Sequence, residues 1–162
     1  MGILNFFKEK KKEKKEKLDK VLTKDTIVLG AEAENKTEAI EMGGQLLVDG
    51  GYVPSEYIEE MKEREEKVST YMGNGVAIPH GTADAKKYIN KSGVSVIQFP
   101  DGVDFGDGNM AYLVISIAGE GDQHLKILQN LATICQDEDE TKKMIKADSK
   151  EIICEKLLAE EV

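Results

Sequence analysis

The strongest constraint on the fold is an apolar run at residues 111–118, AYLVISIA, whose only polar groups are the hydroxyls of Tyr112 and Ser116. A strand this apolar is typical of a sheet that is covered on both faces. Residues 94–99 form a second run of this kind and predict another central strand. Because helical patterns alternate with the strands, we expect an α/β fold, a single-domain sandwich with helices on both faces of the sheet.

Caps and apolar spacing locate the first two helices. Asn35 precedes one that should end at the glycines at 50 and 51, and Glu38 stands at the spacing of a capping box. Two adjacent glycines inside this helix, at 43 and 44, suggest that it packs closely against another element. A second helix is predicted from Pro54 to about residue 66, with Tyr57 and Met61 one turn apart on its inner face.

The remaining elements are shorter or lie nearer the C-terminus. Short strands are predicted at 26–30, 68–71 and 76–78, the last two around a turn at 73–75, with one or two helical turns at 82–89 and a loop at 101–109. Asp122 should cap a helix that runs to about residue 137, and helical patterns follow at 141–146 and from 149. The inner face of the Asp122 helix should carry Leu125, Leu128, Leu131, Ala132 and Cys135.

Charge divides the chain into a basic tail, residues 1–20, and an acidic body, residues 21–162. The tail has eight lysines against three glutamates and one aspartate, so the net charge of -9 combines +4 in the tail with -13 in the body. An acidic body argues against nucleic acid as a partner. No run of residues approaches the ~20 apolar positions of a membrane helix, and the two cysteines form no CxxC pair, so a cytoplasmic location is expected.

His80 is the first candidate for chemistry. It follows an apolar strand in the segment VAIPHGT, where the proline restricts the backbone before it and the glycine lets the chain turn away after it. This arrangement would present an imidazole at the end of a strand. Histidine is a common nucleophile and proton carrier, although a histidine in a surface turn would have the same pattern.

Arg64 and His124 are the second and third candidates. Arg64, the only arginine of the chain, lies seven residues after Tyr57 and should face inward near its helix end. A structural carboxylate or a phosphoryl group could be its partner. His124 should lie in the first turn after Asp122, where backbone N–H groups favour an anion, or it could simply pack beside the cap.

Other chemistries fit the sequence less well. The cysteines and histidines lack the close spacing of a zinc site, and the aspartates at 101–107 lack the alternation and final glutamate of an EF-hand. Neither a phosphate-binding P-loop nor a dinucleotide fingerprint occurs. No nucleophile elbow marks a serine hydrolase. We therefore expect neither a metal nor a cofactor. Two histidines, one arginine and a helix N-terminus remain, a set suited to carrying a phosphoryl group.

Three segments resemble the mannitol-type IIA domains of the bacterial phosphoenolpyruvate:sugar phosphotransferase system. They are STYMGNGVAIPHGTADAK at 69–86, SVIQFPDGVDFG at 95–106 and LVISIAGEGDQHLKILQNLA at 113–132. The resemblance extends from about residue 24 to 158 and does not include the tail. It implies a mixed sheet of about five strands and a phosphotransferase activity.

The resemblance also implies roles for the candidate residues. His80 would receive phosphoryl on Nε2 from the histidine of the carrier protein HPr, with His124 stabilising the group and Arg64 contacting it. The phosphoryl would then pass to a cysteine of a mannitol IIB component, on a separate chain with the membrane component IIC. The alternatives are a nitrogen-related or fructose-type IIA carrier, or a non-enzymatic binding module in which His80 is only a turn residue.

Overall fold

The computed structural model describes residues 21–158 of the 162-residue chain, with the side chains of Gln123, His124 and Leu158 outside the description. The described α-helices are α1 (Lys36–Asp49), α2 (Glu56–Lys67), α3 (Gly121–Gln136), α4 (Glu138–Ile145) and α5 (Lys150–Leu158). The described strands are β1 (Ile27–Val28), β2 (Tyr71–Gly73), β3 (Val76–Ala77), β4 (Gly93–Asp104) and β5 (Met110–Ala118). Two 3₁₀ turns, Lys24–Thr26 and Ala83–Tyr88, complete these elements.

The five strands form one mixed sheet in the order β1-β4-β5-β3-β2. The central pair, β4 and β5, is antiparallel, and the outer neighbours β1 and β3 run parallel to β4 and β5 respectively. The short strand β2 closes one edge as the antiparallel partner of β3. The sequence prediction of a mixed five-stranded sheet is therefore confirmed.

Two apolar clusters, one on each face of the sheet, form the core. One cluster joins the sheet to α1 and α2, through side chains that include Leu47, Tyr57 and Met61. The other joins it to α3, α4 and α5, through Leu131, Cys135, Met144 and Ile153. The predicted sandwich, with helices on both faces, is confirmed.

The contact of α1 with the sheet explains the two glycines inside this helix. A Cβ on Gly43 would lie 2.1 Å from Ser116 Oγ on β5, and one on Gly44 would lie 2.7 Å from Ile58 on α2. The close packing expected from the sequence is therefore confirmed. The helix begins as predicted, because Asn35 Oδ1 accepts a hydrogen bond from Glu38 N at 2.9 Å.

Two strand boundaries differ from the prediction. Residues 101–109 were expected to be loop, but β4 continues to Asp104 after a shift of register between Gln98 and Val103. Buried Val103 resumes the pairing, so the turn residues near 100 form an irregularity within the strand and do not end it. Residues 68–71 were expected to be a strand, but β2 begins only at Tyr71. The Glu65 carboxylate accepts hydrogen bonds from the backbone N–H and the hydroxyl of Thr70. These bonds tie Thr70 to the end of α2.

The start of α3 also differs. Glu120, not Asp122, is the N-cap, and the chain enters the helix through Gly121 at φ +57°. This left-handed conformation suits glycine, and it starts the helix before Asp122. Leu125 was expected on the buried face but is 58% exposed. The buried residues of that face, Leu131 and Cys135, belong to the second half of the helix, so its first turns extend beyond the core.

Within residues 21–158, no helix is long and apolar enough to cross a membrane.

Candidate functional site

The candidate site forms where the chain leaves β3 beside the end of β5. The Ile117 N–H donates to the Pro79 carbonyl at 2.8 Å, and His80 forms an isolated parallel bridge with Ile117. The next residues turn away into the 3₁₀ turn Ala83–Tyr88. His80 is therefore the last residue paired with the sheet, at the strand end where the sequence placed it, and its side chain is half-buried.

One hydrogen bond defines the protonation of His80. Its Nδ1 lies 2.8 Å from the Ile78 carbonyl oxygen, which can only accept, so Nδ1 carries the proton. In the neutral imidazole, Nε2 then carries the lone pair. The ring thus has the tautomer that a nucleophile acting through Nε2 requires.

The surroundings of His80 favour its neutral form. Burial is the main cause that lowers the pKa of His80 below 6.5, and the positive charge of Arg64 lowers it further. The Ile78 hydrogen bond and the negative charge of Glu65 act in the opposite direction. Since the net pKa shift is downward, the neutral form of the imidazole is favoured over the cation at neutral pH.

Helix α2 carries Arg64 on its last turn. The side chain is half-buried, and Nη1 donates to the Val68 carbonyl at 2.6 Å. The neighbouring Glu65 carboxylate is 4% exposed and accepts hydrogen bonds from Ser69 and Thr70. The end of α2 is thus held firmly, with the Arg64 charge close enough to affect the pKa of His80. The structure therefore places Arg64 near His80, and a joint contact of these two residues with a phosphoryl group stays a prediction.

The third candidate, His124, lies at the fourth position of α3, in the first turn after β5. This backbone position agrees with the sequence prediction, although the cap is Glu120. Its side chain lies outside the described part of the structure. A contact between His124 and a phosphoryl group on His80 therefore stays a prediction.

A family comparison identifies the type of domain. Residues 20–160 match the model of the family described as "Phosphoenolpyruvate-dependent sugar phosphotransferase system, EIIA 2". The chain belongs to this family. As a IIA domain, it is a phosphotransferase component of the sugar phosphotransferase system.

Several similar relatives have mannitol in their names. A mannitol-specific IIA component from Geobacillus stearothermophilus is 55% identical over 133 residues, 82% of this chain and 92% of the relative. The corresponding protein of Bacillus subtilis is 50% identical over 131 residues, 81% of this chain and 92% of the relative. In a solved complex of enzyme IIA-Mtl and phosphorylated enzyme IIB-Mtl from Escherichia coli, one chain aligns with a TM-score of 0.81 and 37% identity, over 86% of this chain and 98% of that chain.

The IIA site also contains residues that the sequence analysis had not assigned to it. Tyr57 had been placed only on the core stripe of α2, yet its hydroxyl donates to the Ile117 carbonyl at 2.8 Å and accepts from Gly81 N at 2.9 Å. Glu60, one turn further along, accepts a hydrogen bond from Thr82 Oγ1 at 2.7 Å. The helical spacing of Tyr57, Glu60 and Arg64 was the available signal, because it places all three toward the same side of α2.

Proposed function

We propose that this chain is the mannitol IIA phosphocarrier, which accepts phosphoryl from phospho-HPr on His80 and donates it to a cysteine of mannitol IIB. It would do so in the cytoplasm. The observation that carries the assignment of the nucleophile is the bond from His80 Nδ1 to the Ile78 carbonyl, which leaves the lone pair on Nε2 of a ring with a lowered pKa.

The transfer is balanced without a cofactor. The P–N bond of the donor phosphohistidine breaks, and its electron pair returns to the donor ring. The Nε2 lone pair of His80 forms the new P–N bond, while Nδ1 keeps its proton. The ring becomes cationic, and its hydrogen bond to the Ile78 carbonyl becomes charge-assisted. In the second transfer a cysteine thiolate of IIB attacks phosphorus, and the P–N electron pair returns to Nε2.

Arg64 and His124 would stabilise the transferring group. The Arg64 guanidinium offers several N–H donors, and a phosphoryl oxygen could replace the Val68 carbonyl as acceptor. His124 would donate an N–H to a phosphoryl oxygen from the first turn of α3, where the helix dipole also favours negative charge. Both roles follow from the charge of about -1.5 to -2 that a phosphoryl group brings.

The names of the relatives favour mannitol over other sugars as the sugar that this phosphocarrier serves. Two of them are named mannitol-specific IIA components and are at least half identical to this chain. The Escherichia coli structure pairs a similar chain with phosphorylated IIB-Mtl. A nitrogen-related IIA protein from Neisseria meningitidis shares the fold at 25% identity, which is a weaker similarity.

A reconstituted relay tests the proposal. The chain is incubated with labelled phosphoenolpyruvate, enzyme I and HPr, and acid-labile, base-stable label should appear on wild-type protein and be absent from His80→Ala. His124→Ala should still become labelled, about tenfold to a hundredfold more slowly. Added mannitol IIB should then remove the label, whereas fructose IIB should not. Labelling of a folded His80→Ala protein would contradict the assignment of His80 as the phosphorylated residue. Loss of the label to fructose IIB, but not to mannitol IIB, would contradict the proposed mannitol specificity.

A further inference from the structure

We propose that Tyr57 is a positioning residue for phosphoryl transfer, because its hydroxyl holds His80 at the point where the chain leaves the sheet. The hydroxyl does so by connecting the Gly81 N–H to the Ile117 carbonyl. This inference rests on the proposed function, since it concerns the rate at which His80 accepts a phosphoryl group.

The hydroxyl contacts both backbone groups of one ladder position. In a parallel ladder, the residue after His80 donates its N–H toward the carbonyl of the bridge partner, and His80 forms such a bridge with Ile117. The phenol hydroxyl reinforces this pairing, because it accepts from Gly81 N at 2.9 Å and donates to Ile117 O at 2.8 Å. The bond before His80 is retained directly, from Ile117 N to Pro79 O at 2.8 Å. His80 is thus fixed on one side by the sheet and on the other by Tyr57.

The Tyr57 ring packs closely against the chain immediately after His80. It leaves no room for a side chain there, because a Cβ on Gly81 would lie 2.7 Å from Tyr57 Cε1. The glycine of VAIPHGT therefore allows the close approach of Tyr57. His80 itself lies at the margin of the sheet, with its side chain half-buried.

Tyr57 keeps its proton throughout the working range of pH. Its side chain is 2% exposed, and burial raises the pKa of the phenol to about 12. Since the neutral phenol is needed to donate to Ile117, the connection does not titrate when His80 does.

Helix α2, which carries Tyr57, also binds Thr82, the second residue after His80, and carries Arg64. Glu60 accepts from Thr82 Oγ1 at 2.7 Å, and Arg64 follows one turn later. A displacement of the histidine segment relative to α2 would change the distance between His80 and Arg64. Because transfer rates depend on the alignment of the reacting atoms, a small displacement should slow transfer substantially.

The test compares Tyr57→Phe with Tyr71→Phe. Each variant removes one phenol hydroxyl that accepts a glycine N–H, from Gly81 at 2.9 Å or from Gly75 at 3.1 Å. Gly75 precedes β3, at the end opposite His80, so Tyr71→Phe is a matched control. Phosphoryl acceptance is measured against phospho-HPr concentration, and ¹⁵N NMR reports the tautomer of His80. All measurements are made at a temperature at which circular dichroism shows folded protein.

We expect Tyr57→Phe to lower the maximal rate of acceptance roughly tenfold to a hundredfold, with little change in the KM for phospho-HPr. The fraction of His80 with the proton on Nδ1 should fall. Tyr71→Phe should keep the wild-type rate and tautomer. Site-specific 3-fluorotyrosine at position 57, which retains both bonds with altered strength, should shift the His80 Nδ1 resonance while the fold is kept.

A wild-type rate and an unchanged His80 spectrum in folded Tyr57→Phe would overturn the inference. If Tyr57→Phe does not fold, an unchanged His80 spectrum in the fluorotyrosine protein would overturn it. Equal losses of rate in Tyr57→Phe and Tyr71→Phe would also overturn it, because the effect would then be general. Failure of the wild-type chain to accept phosphoryl at all would instead contradict the proposed function.

Discussion

The pKa of His80 determines the pH range in which its imidazole is neutral. Burial and the charge of Arg64 lower this pKa below 6.5, so the neutral ring persists to lower pH than in an unfolded chain. Between the two pKa values the unfolded state binds more protons, so the His80 contribution to stability rises with pH through this interval. It is constant above the unfolded value, and it falls as pH decreases through the folded pKa.

Arg64 variants should separate charge from geometry at His80. We predict that Arg64→Gln raises the pKa of His80, because a positive charge is removed, whereas Arg64→Lys leaves it nearly unchanged. Phosphoryl acceptance should nevertheless slow roughly tenfold or more in Arg64→Lys, since the forked donor geometry is lost. An NMR titration of His80 and a labelling time course measure the two effects, with Lys62→Gln as a control on the same helix. A wild-type rate of phosphoryl acceptance in Arg64→Lys would contradict a contact between Arg64 and the phosphoryl group.

The close packing of α1 on β5 depends on the small size of one residue, Gly43. Ser116 Oγ is buried and has no hydrogen-bond partner within the described residues, and Gly43 lies directly beside it. A glycine in a helix interior is unfavourable by about 1 kcal/mol relative to alanine. Here the close approach of helix and strand outweighs that preference, because a methyl group would lie 2.1 Å from the hydroxyl oxygen.

We predict that Gly43→Ala lowers the free energy of unfolding by about 1–3 kcal/mol, in spite of its gain in helix propensity. Ser116→Ala should be neutral or slightly stabilising, because it removes a buried polar atom without a partner. The double variant should recover most of the loss, which urea denaturation of all four proteins measures as a coupling energy. Strictly additive effects would show that the Gly43–Ser116 contact is not the cause.

Among the helices and strands, the sequence predicted those whose residue pattern is set by burial. The two apolar runs became β4 and β5 because a strand covered on both faces must be apolar along its whole length. The inner stripe of α2 was predicted for the same reason, since Tyr57 and Met61 recur at helical spacing. The position of Arg64 in the last turn of α2 followed from that spacing, and the position of His80 at a strand end followed from the apolar run before it.

Features that depend on tertiary contacts were not predictable from local pattern. Turn residues near 100 indicated a loop, yet β4 continues because Val103 and Phe105 are buried again beyond the irregularity. Leu125 fits the apolar stripe of α3 but lies where the helix extends beyond the core. Helical spacing could place Tyr57 on the same side of α2 as Arg64, but it could not identify Gly81 and Ile117 as partners of the hydroxyl, because these segments are distant in sequence.

At the scale of the whole molecule, the basic tail and the acidic body meet near residue 21. The family match begins at residue 20, and Val21 and Leu22 are 7% and 3% exposed. Both belong to the apolar cluster that includes Ile27 and Ile153. Lys24, two residues after Leu22, forms an ion pair with Glu151, and the two side chains are 60% and 56% exposed. Exposed pairs of this kind contribute little to stability. The two buried aliphatic side chains should therefore set the boundary of the folded body.

Two truncations test this boundary. We predict that removal of residues 1–20 leaves the free energy of unfolding and the rate of phosphoryl acceptance unchanged, because the domain retains Val21 and Leu22. Removal of residues 1–23 should lower the free energy of unfolding by roughly 1.5–3 kcal/mol for each of these two side chains, since their burial in the cluster is lost. Urea denaturation measures both values, and Leu22→Ala in the full chain should reproduce part of the second loss. If the shorter truncation destabilises the protein as much as the longer one, residues 1–20 contribute to the folded domain, and the division at residue 21 is wrong.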